Sequence, residues 1–268
     1  MKPPEETPAI ITATPNICWL TPDVDYPTTV EELVAEAKLC EEAGASILHF
    51  HGEDYWTEAL EALRAETNLI LQCGMSSLPI PDRMEVFEQG ADMISIITSH
   101  HDEAFTGLDV HVLHSREELT DYAELSRKYG VKLELETWHT GSIWNIEWMI
   151  EQGLLDPPYF TSIFFGWPGG SWSPATFEEY LHRRRALPEG SIATATAMGP
   201  EQLRLLTLAL ANGDHVRVGT EDQPRDRNGE MSTTHELVAQ ITRVAEAIGR
   251  DVASPDQARE MIGLEARG

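Results

Sequence analysis

The 268-residue chain carries 45 aspartates and glutamates against 19 lysines and arginines, a formal net charge of −26. So acidic a surface repels nucleic acid and anionic membranes, which excludes both as expected partners. Hydrophobic residues make up 41% of the chain, enough for a sizeable core, and no apolar run approaches the roughly 18 residues of a membrane helix.

Along the chain, short apolar runs rich in β-branched residues alternate with amphipathic stretches, the pattern of successive βα units around a buried parallel sheet. Eight runs are predicted as strands: Ala9 to Ala13, Ser46 to Phe50, Leu69 to Cys73, Met93 to Ile97, Lys132 to Glu136, Tyr159 to Phe165, Ser191 to Thr196 and His215 to Gly219. Thr28-Thr29-Val30-Glu31-Glu32 opens the first helix and Gly44 closes it, and Ser115 opens another that ends near Gly130. Ser173-Pro174 and Gly199-Pro200-Glu201 put proline at two further helix openings. The last long helix is expected from about Thr233 to Ile248, and Ser254-Pro255-Asp256 begins a short terminal one. Eight repeats in this length, with no Gly-x-Gly-x-x-Gly turn after the first strand, predict a single-domain (β/α)8 TIM barrel over residues 1–268.

In that fold chemistry sits at the C-terminal ends of the strands. His49 and His51 are two residues apart on the second run, so both imidazoles point the same way, a start for metal coordination that needs a third ligand. The alternative is one hydrogen-bonded core histidine and one surface histidine. On the eighth run, alternation puts Arg217, Gly219 and Glu221 on one face, which makes Glu221 a candidate third ligand and leaves Asp222 for proton transfer. Against this stands an ordinary Arg217–Asp222 ion pair with a solvated Glu221.

Cys18, Cys40 and Cys73 are widely spaced, without a Cys-x-x-Cys pair, and the opening residues lack the apolar core of a signal peptide. A cytoplasmic location is expected.

Ile11-Thr12-Ala13, Glu41 to Ala45 leading into His49-Phe50-His51, Phe165 to Gly170, and His215 to Asp222 closely resemble the β-keto acid cleavage enzymes, and the likeness extends over nearly the whole chain. The resemblance implies a barrel that binds one Zn²⁺ through His49, His51 and Glu221, usually as a homo-oligomer. It also implies a β-keto acid and acetyl-CoA as substrates, converted to acetoacetate and a new acyl-CoA. On that reading Asp222, oriented by Arg217, is catalytic; Asn16, Gly74, Thr98 and Trp167 bind the substrate; and Arg225 and Arg227 hold CoA. Two motifs depart from the family's pattern. The turn after strand three reads Gly74-Met75-Ser76-Ser77 where the family has Ser-Thr-Gly-Gly, and after strand five Trp138-His139 replaces Phe-Asp. His100 and His101 follow strand four, and of these adjacent residues at most one is expected to reach the site. The competing functions are a metal-dependent hydrolase with His139 or Asp222 as base, and a catalytically silent metabolite-binding protein.

Overall fold

The computed structural model describes residues 7–18, 24–52, 55–102, 111–167 and 173–266. Eight parallel strands form the barrel: β1 (Ile11–Ala13), β2 (Ile47–Phe50), β3 (Ile70–Cys73), β4 (Met93–Ile97), β7 (Lys132–Thr137), β8 (Tyr159–Phe165), β9 (Ser191–Ala197) and β10 (His215–Val218). Their order, β1-β10-β9-β8-β7-β4-β3-β2, closes on itself. A short antiparallel hairpin, β5 (His100–Asp102) with β6 (His111–Leu113), interrupts the alternation after β4. Each of the eight predicted runs matches one of these barrel strands to within two residues at either end. No helix among the described residues is long and apolar enough to cross a membrane.

Helices α1 (Val30–Glu42), α2 (Trp56–Glu66), α3 (Ile80–Glu88), α4 (Arg116–Tyr129), α5 (Thr140–Glu151), α6 (Phe177–Ala186), α7 (Gln202–Ala211) and α8 (Thr234–Ala247) surround the barrel. Their ends follow the capping signals. Thr29 and Glu32 bond reciprocally at the start of α1, Thr233 and Glu236 at the start of α8, and Gly130 closes α4 in the left-handed conformation. At α6 the expectation is corrected: Thr176, not Ser173, accepts the capping hydrogen bond, so Pro174 lies before the helix.

The alternation of the strands divides the core. Outward residues such as Leu48, Phe50, Leu71, Ile94, Leu135, Ile163 and Val216 pack under the helices. At the N-terminal end of the barrel, Ile10, Ile47, Ile70, Met93 and Phe160 form an apolar floor that α9 (Pro255–Ile262) seals with Ala258 and Ile262. Arg259 fixes that helix by paired bonds of 3.0 and 2.8 Å to Asp92, whose Oδ2 also accepts the amide of Leu71. With the floor closed, the polar inward residues above it face only the C-terminal mouth, where a site can open to solvent. Close packing at the mouth also decides the eighth loop. A Cβ on Gly219 would lie 2.3 Å from the carbonyl oxygen of Thr14, so only glycine lets the end of β10 press against the end of β1.

Candidate active site

His49 and His51 lie on and just past the inward face of β2, both almost fully buried, and Glu221 reaches them from the turn after β10. Nε2 of His49 is 3.3 Å from Nε2 of His51 and 3.6 Å from a Glu221 carboxylate oxygen, while His51 Nε2 is 3.3 Å from the other oxygen. Bonds of about 2.0–2.2 Å at tetrahedral angles set neighbouring ligand atoms about 3.3–3.6 Å apart, so these three side chains fit one divalent ion. All three donor atoms fall within 4.8 Å of one another. The alternative in which Glu221 is solvated is excluded, because its side chain is buried.

Neighbours hold both imidazoles in a metal-binding attitude. His49 donates from Nδ1 to Gln72 Oε1 at 2.8 Å, which leaves its Nε2 lone pair facing the centre. Burial, followed by the charge of Arg217, holds His49 well below the usual histidine range, so its imidazole is neutral, the form a metal site needs. The side chain of Asn16 grips the backbone of His51 at both ends, donating to its carbonyl at 2.6 Å and accepting from its N–H at 3.0 Å. Asn16 therefore spends its side chain on the His51 backbone and is absent from the cavity lining, which corrects its expected role in substrate binding. Gly74 leaves space for the imidazoles themselves: a Cβ there would come within 2.8 Å of both Nε2 atoms.

Arg217 is fully buried and bonds to Asp222 through Nε and Nη2 at 3.0 and 2.9 Å, and to Glu221 through Nη2 at 2.6 Å. Burial pushes Glu221 up, but the Arg217 guanidinium and the two imidazoles outweigh it and hold the carboxylate well below its usual range. Asp222 is completely buried, outside the cavity lining, with both oxygens committed to Arg217. The expected pairing of Asp222 with Arg217 is thus present, and it fixes the plane of the guanidinium.

A small cavity of about 50 Å³ opens over this cluster, lined by its three residues together with Arg217, Glu136, Trp138, Phe164, Trp167, Met75, Ser76, Ser77 and His101, and the Arg217 guanidinium lies over Phe164, 5.3 Å from its ring centre. Strand β7 contributes two inward carboxylates. Glu134, deeper, accepts from Ser95 and Ser162. Glu136 faces the cavity, its Oε2 accepting from Ser76 Oγ and Trp138 Nε1, both at 3.0 Å. Burial and the nearby Glu134 charge push Glu136 up to about 8. Sequence analysis missed this pair, although the signal was there: Leu133-Glu134-Leu135-Glu136 has the same period of two that singled out His49 and His51. Glu134, Glu136, Glu221 and Asp222 place four buried carboxyl groups around a single guanidinium, a setting whose ionised form a divalent cation would favour.

The other expected residues are distributed as follows. Trp167 lines the cavity, in edge-on contact with Trp138 at 5.1 Å. Thr98 does not: its hydroxyl is bonded to the carbonyls of Glu136 and Ser142, which corrects its expected part in holding a carboxylate. His101 reaches the lining and His100 does not. His139 caps α5, with Nδ1 accepting the amide of Gly141 and Nε2 bonded near Ser99 and the His100 carbonyl, so it is not a base at this site. Arg225 and Arg227 lie beyond the cavity, on a groove between α7 and α8. Two arginines of α6 are engaged elsewhere: Arg183 is buried on backbone carbonyls of Phe164 and Thr137, and Arg184 pairs with Asp214 at 2.6 Å.

A closed parallel barrel with a His-His-Glu cluster, an arginine and a further carboxylate at the C-terminal mouth is the architecture of a barrel enzyme. The chain belongs to the β-keto acid cleavage enzyme family, whose model matches residues 8–264. It is 28% identical over 257 residues to a 3-keto-5-aminohexanoate cleavage enzyme of Fusobacterium nucleatum, covering 89% of this chain and 91% of that one. It is 27% identical over 256 residues to a 3-oxoadipate:acetyl-CoA acetyltransferase of Cupriavidus necator, covering 89% and 88%. Among solved structures, apo ObcA superposes with a TM-score of 0.75 at 16% identity, over 90% of this chain; the chain spans 66% of the length of ObcA. At that identity the likeness shows the fold alone.

Proposed function

We propose that this enzyme uses one zinc ion, held by His49, His51 and Glu221, to exchange acyl groups between a small β-keto acid and acetyl-CoA, giving acetoacetate and an acyl-CoA. The observation that carries the reading is the His-His-Glu cluster lining one cavity with Glu136 and Arg217, in a chain of this family. Two imidazoles and a carboxylate are a ligand set of catalytic zinc. When bound, the ion supplies Lewis acidity at the substrate's keto oxygen, where cleavage beside a carbonyl develops negative charge.

The chain's own groups account for the rest. Glu136 takes and returns the proton that making and breaking a carbon–carbon bond beside a carbonyl requires, steadied by Ser76 and Trp138. Arg217, its plane fixed by Asp222, offers positive charge to the substrate carboxylate. The aromatic wall of Trp138, Phe164 and Trp167 excludes water from the reacting carbon.

For CoA, the groove between α7 and α8 is the supporting feature. It measures about 470 Å³ and is lined by Arg204, Arg225 and Arg227. Gln223, two residues past Glu221, lines its near side. Four residues from Glu221 to Arg225 span at most about 14 Å, a distance that the pantetheine arm of CoA covers. The three guanidinium groups are suited to its phosphates.

The test is elemental analysis of wild type and the His49→Ala/His51→Ala protein, combined with acetoacetate formation from acetyl-CoA and a series of β-keto acids. About one zinc per chain, lost in the double variant together with activity, is expected. Absence of stoichiometric metal in the wild type refutes the metal reading, and turnover without acetyl-CoA refutes the transfer reading.

A further inference from the structure

The cavity provides for one carboxylate. Among the described residues that line it, Arg217 is the only arginine or lysine, and two of its three nitrogens are engaged by Asp222 and Glu221. The rest of the lining includes Glu136 and aromatic rings: Trp138 is stacked on Phe164 at 4.6 Å, Trp167 meets both edge-on, and the Arg217 guanidinium lies over Phe164, 5.3 Å from its ring centre. Beyond that guanidinium, ring faces are poor company for a second desolvated anion.

Two further buried arginines among the described residues are engaged elsewhere. Arg83 is buried with its guanidinium on the Tyr122 hydroxyl and the Gly74 carbonyl, and Arg183 is buried on the carbonyls of Phe164 and Thr137. The internal segments 19–23, 53–54, 103–110 and 168–172 contain five aspartates and glutamates and no lysine or arginine. The volume of about 50 Å³ also limits how much chain can extend past the reacting carbonyl.

We propose that the substrate is a short monocarboxylic β-keto acid, and that the enzyme rejects β-keto acids bearing a second carboxylate at the far end. This rests on the proposed function for the word β-keto acid, but the charge preference is a property of the cavity. A terminal carboxylate would lose its water against Trp138, Phe164 and Trp167, with the one guanidinium of the lining already taken by the first carboxylate, and burying an anion without a partner costs binding. Ser77, an uncharged residue on the lining, is the position from which that preference can be reversed.

The experiment uses zinc-loaded protein and two acids with the same six-carbon chain, 3-oxohexanoate and 3-oxoadipate, which differ in a terminal methyl against a terminal carboxylate. Binding is measured by calorimetry, and acetoacetate formation from acetyl-CoA is measured separately. The expected result is that 3-oxohexanoate binds about 100-fold more tightly or better. Ser77→Arg should narrow that gap at least about tenfold, while the neutral size control Ser77→Gln leaves it in place. Equal or tighter binding of 3-oxoadipate by the wild type overturns the proposal, and so does failure of both acids to bind. If 3-oxohexanoate binds preferentially but neither acid is turned over, the charge preference stands and the acyl-transfer reading falls.

Discussion

Gln72 Oε1 accepts a 2.8 Å hydrogen bond from Nδ1 of His49, and this contact fixes which nitrogen of the imidazole faces the metal site. Gln72 is completely buried, so no water substitutes for it. Replacing it with leucine frees the ring to rotate and to change tautomer. Zinc affinity is expected to fall by about 10- to 100-fold in Gln72→Leu, measured by competition with a chelating indicator. Unchanged affinity would mean that packing alone orients His49.

Gly74 gives a sharper test of the same centre. In Gly74→Ala the new methyl would stand 2.8 Å from both ligand nitrogens, and its neighbours are imidazoles held by Gln72 and Asn16 that have little freedom to retreat. The expected outcome is a folded barrel, by circular dichroism, that no longer retains zinc through gel filtration. Full retention would show that the ligand cluster adjusts.

Glu136→Gln preserves the shape and the bonds from Ser76 and Trp138 but removes the proton acceptor. The turnover number should fall by about 10²- to 10⁴-fold with zinc content unchanged. A loss confined to KM would assign Glu136 to binding instead.

Asp222→Asn separates orientation from proton transfer. The buried Arg217 loses a charged partner that holds it through two nitrogens, and breaking such a pair destabilises a fold by about 3–5 kcal/mol. Denaturant unfolding should therefore show a large loss of stability in Asp222→Asn, larger than in Glu136→Gln. A variant as stable as wild type but inactive would give Asp222 a direct part in proton transfer.

Acid sensitivity is expected from His215. Burial and the charges of Arg250 and Arg184 press its imidazole down to about 3, and its Nδ1 accepts the amide of Ile10 at 3.0 Å, which requires the neutral ring. Because the folded value lies below the unfolded one, near 6.5, the contribution is complete above about pH 6.5 and declines as the pH falls towards 3. In that window one proton binds preferentially to the unfolded chain, a slope of up to about 1.4 kcal/mol per pH unit. Comparing wild type with His215→Asn in denaturant titrations between pH 7 and pH 4.5 checks this. The difference in stability between the two should shrink as the pH falls, and a constant difference would contradict it.

Periodicity made much of this protein legible in one dimension. A strand sends alternate side chains to opposite faces, so the eight apolar runs, the shared direction of His49 and His51, and the inward face of Arg217 could all be read from spacing. The capping residues Thr29, Ser115, Thr233 and Ser254 likewise mark helix starts through bonds to neighbours within a few residues. Glu134 and Glu136 obey the same rule but were hidden among 45 acidic residues, where no single carboxylate stands out.

The sequence by itself determined the barrel, its polar interior and the ligand trio, because these follow from local geometry repeated along the chain. Only the tertiary structure decided what each polar atom does. Asn16 serves the backbone of His51, Thr98 is spent on backbone carbonyls, and Glu136 faces the cavity, because hydrogen bonds at the barrel mouth join residues 35 to 60 positions apart, such as Asn16 with His51 and Ser76 with Glu136. A side chain's chemistry is inherent in its type, but its availability depends on which partner from another strand reaches it first.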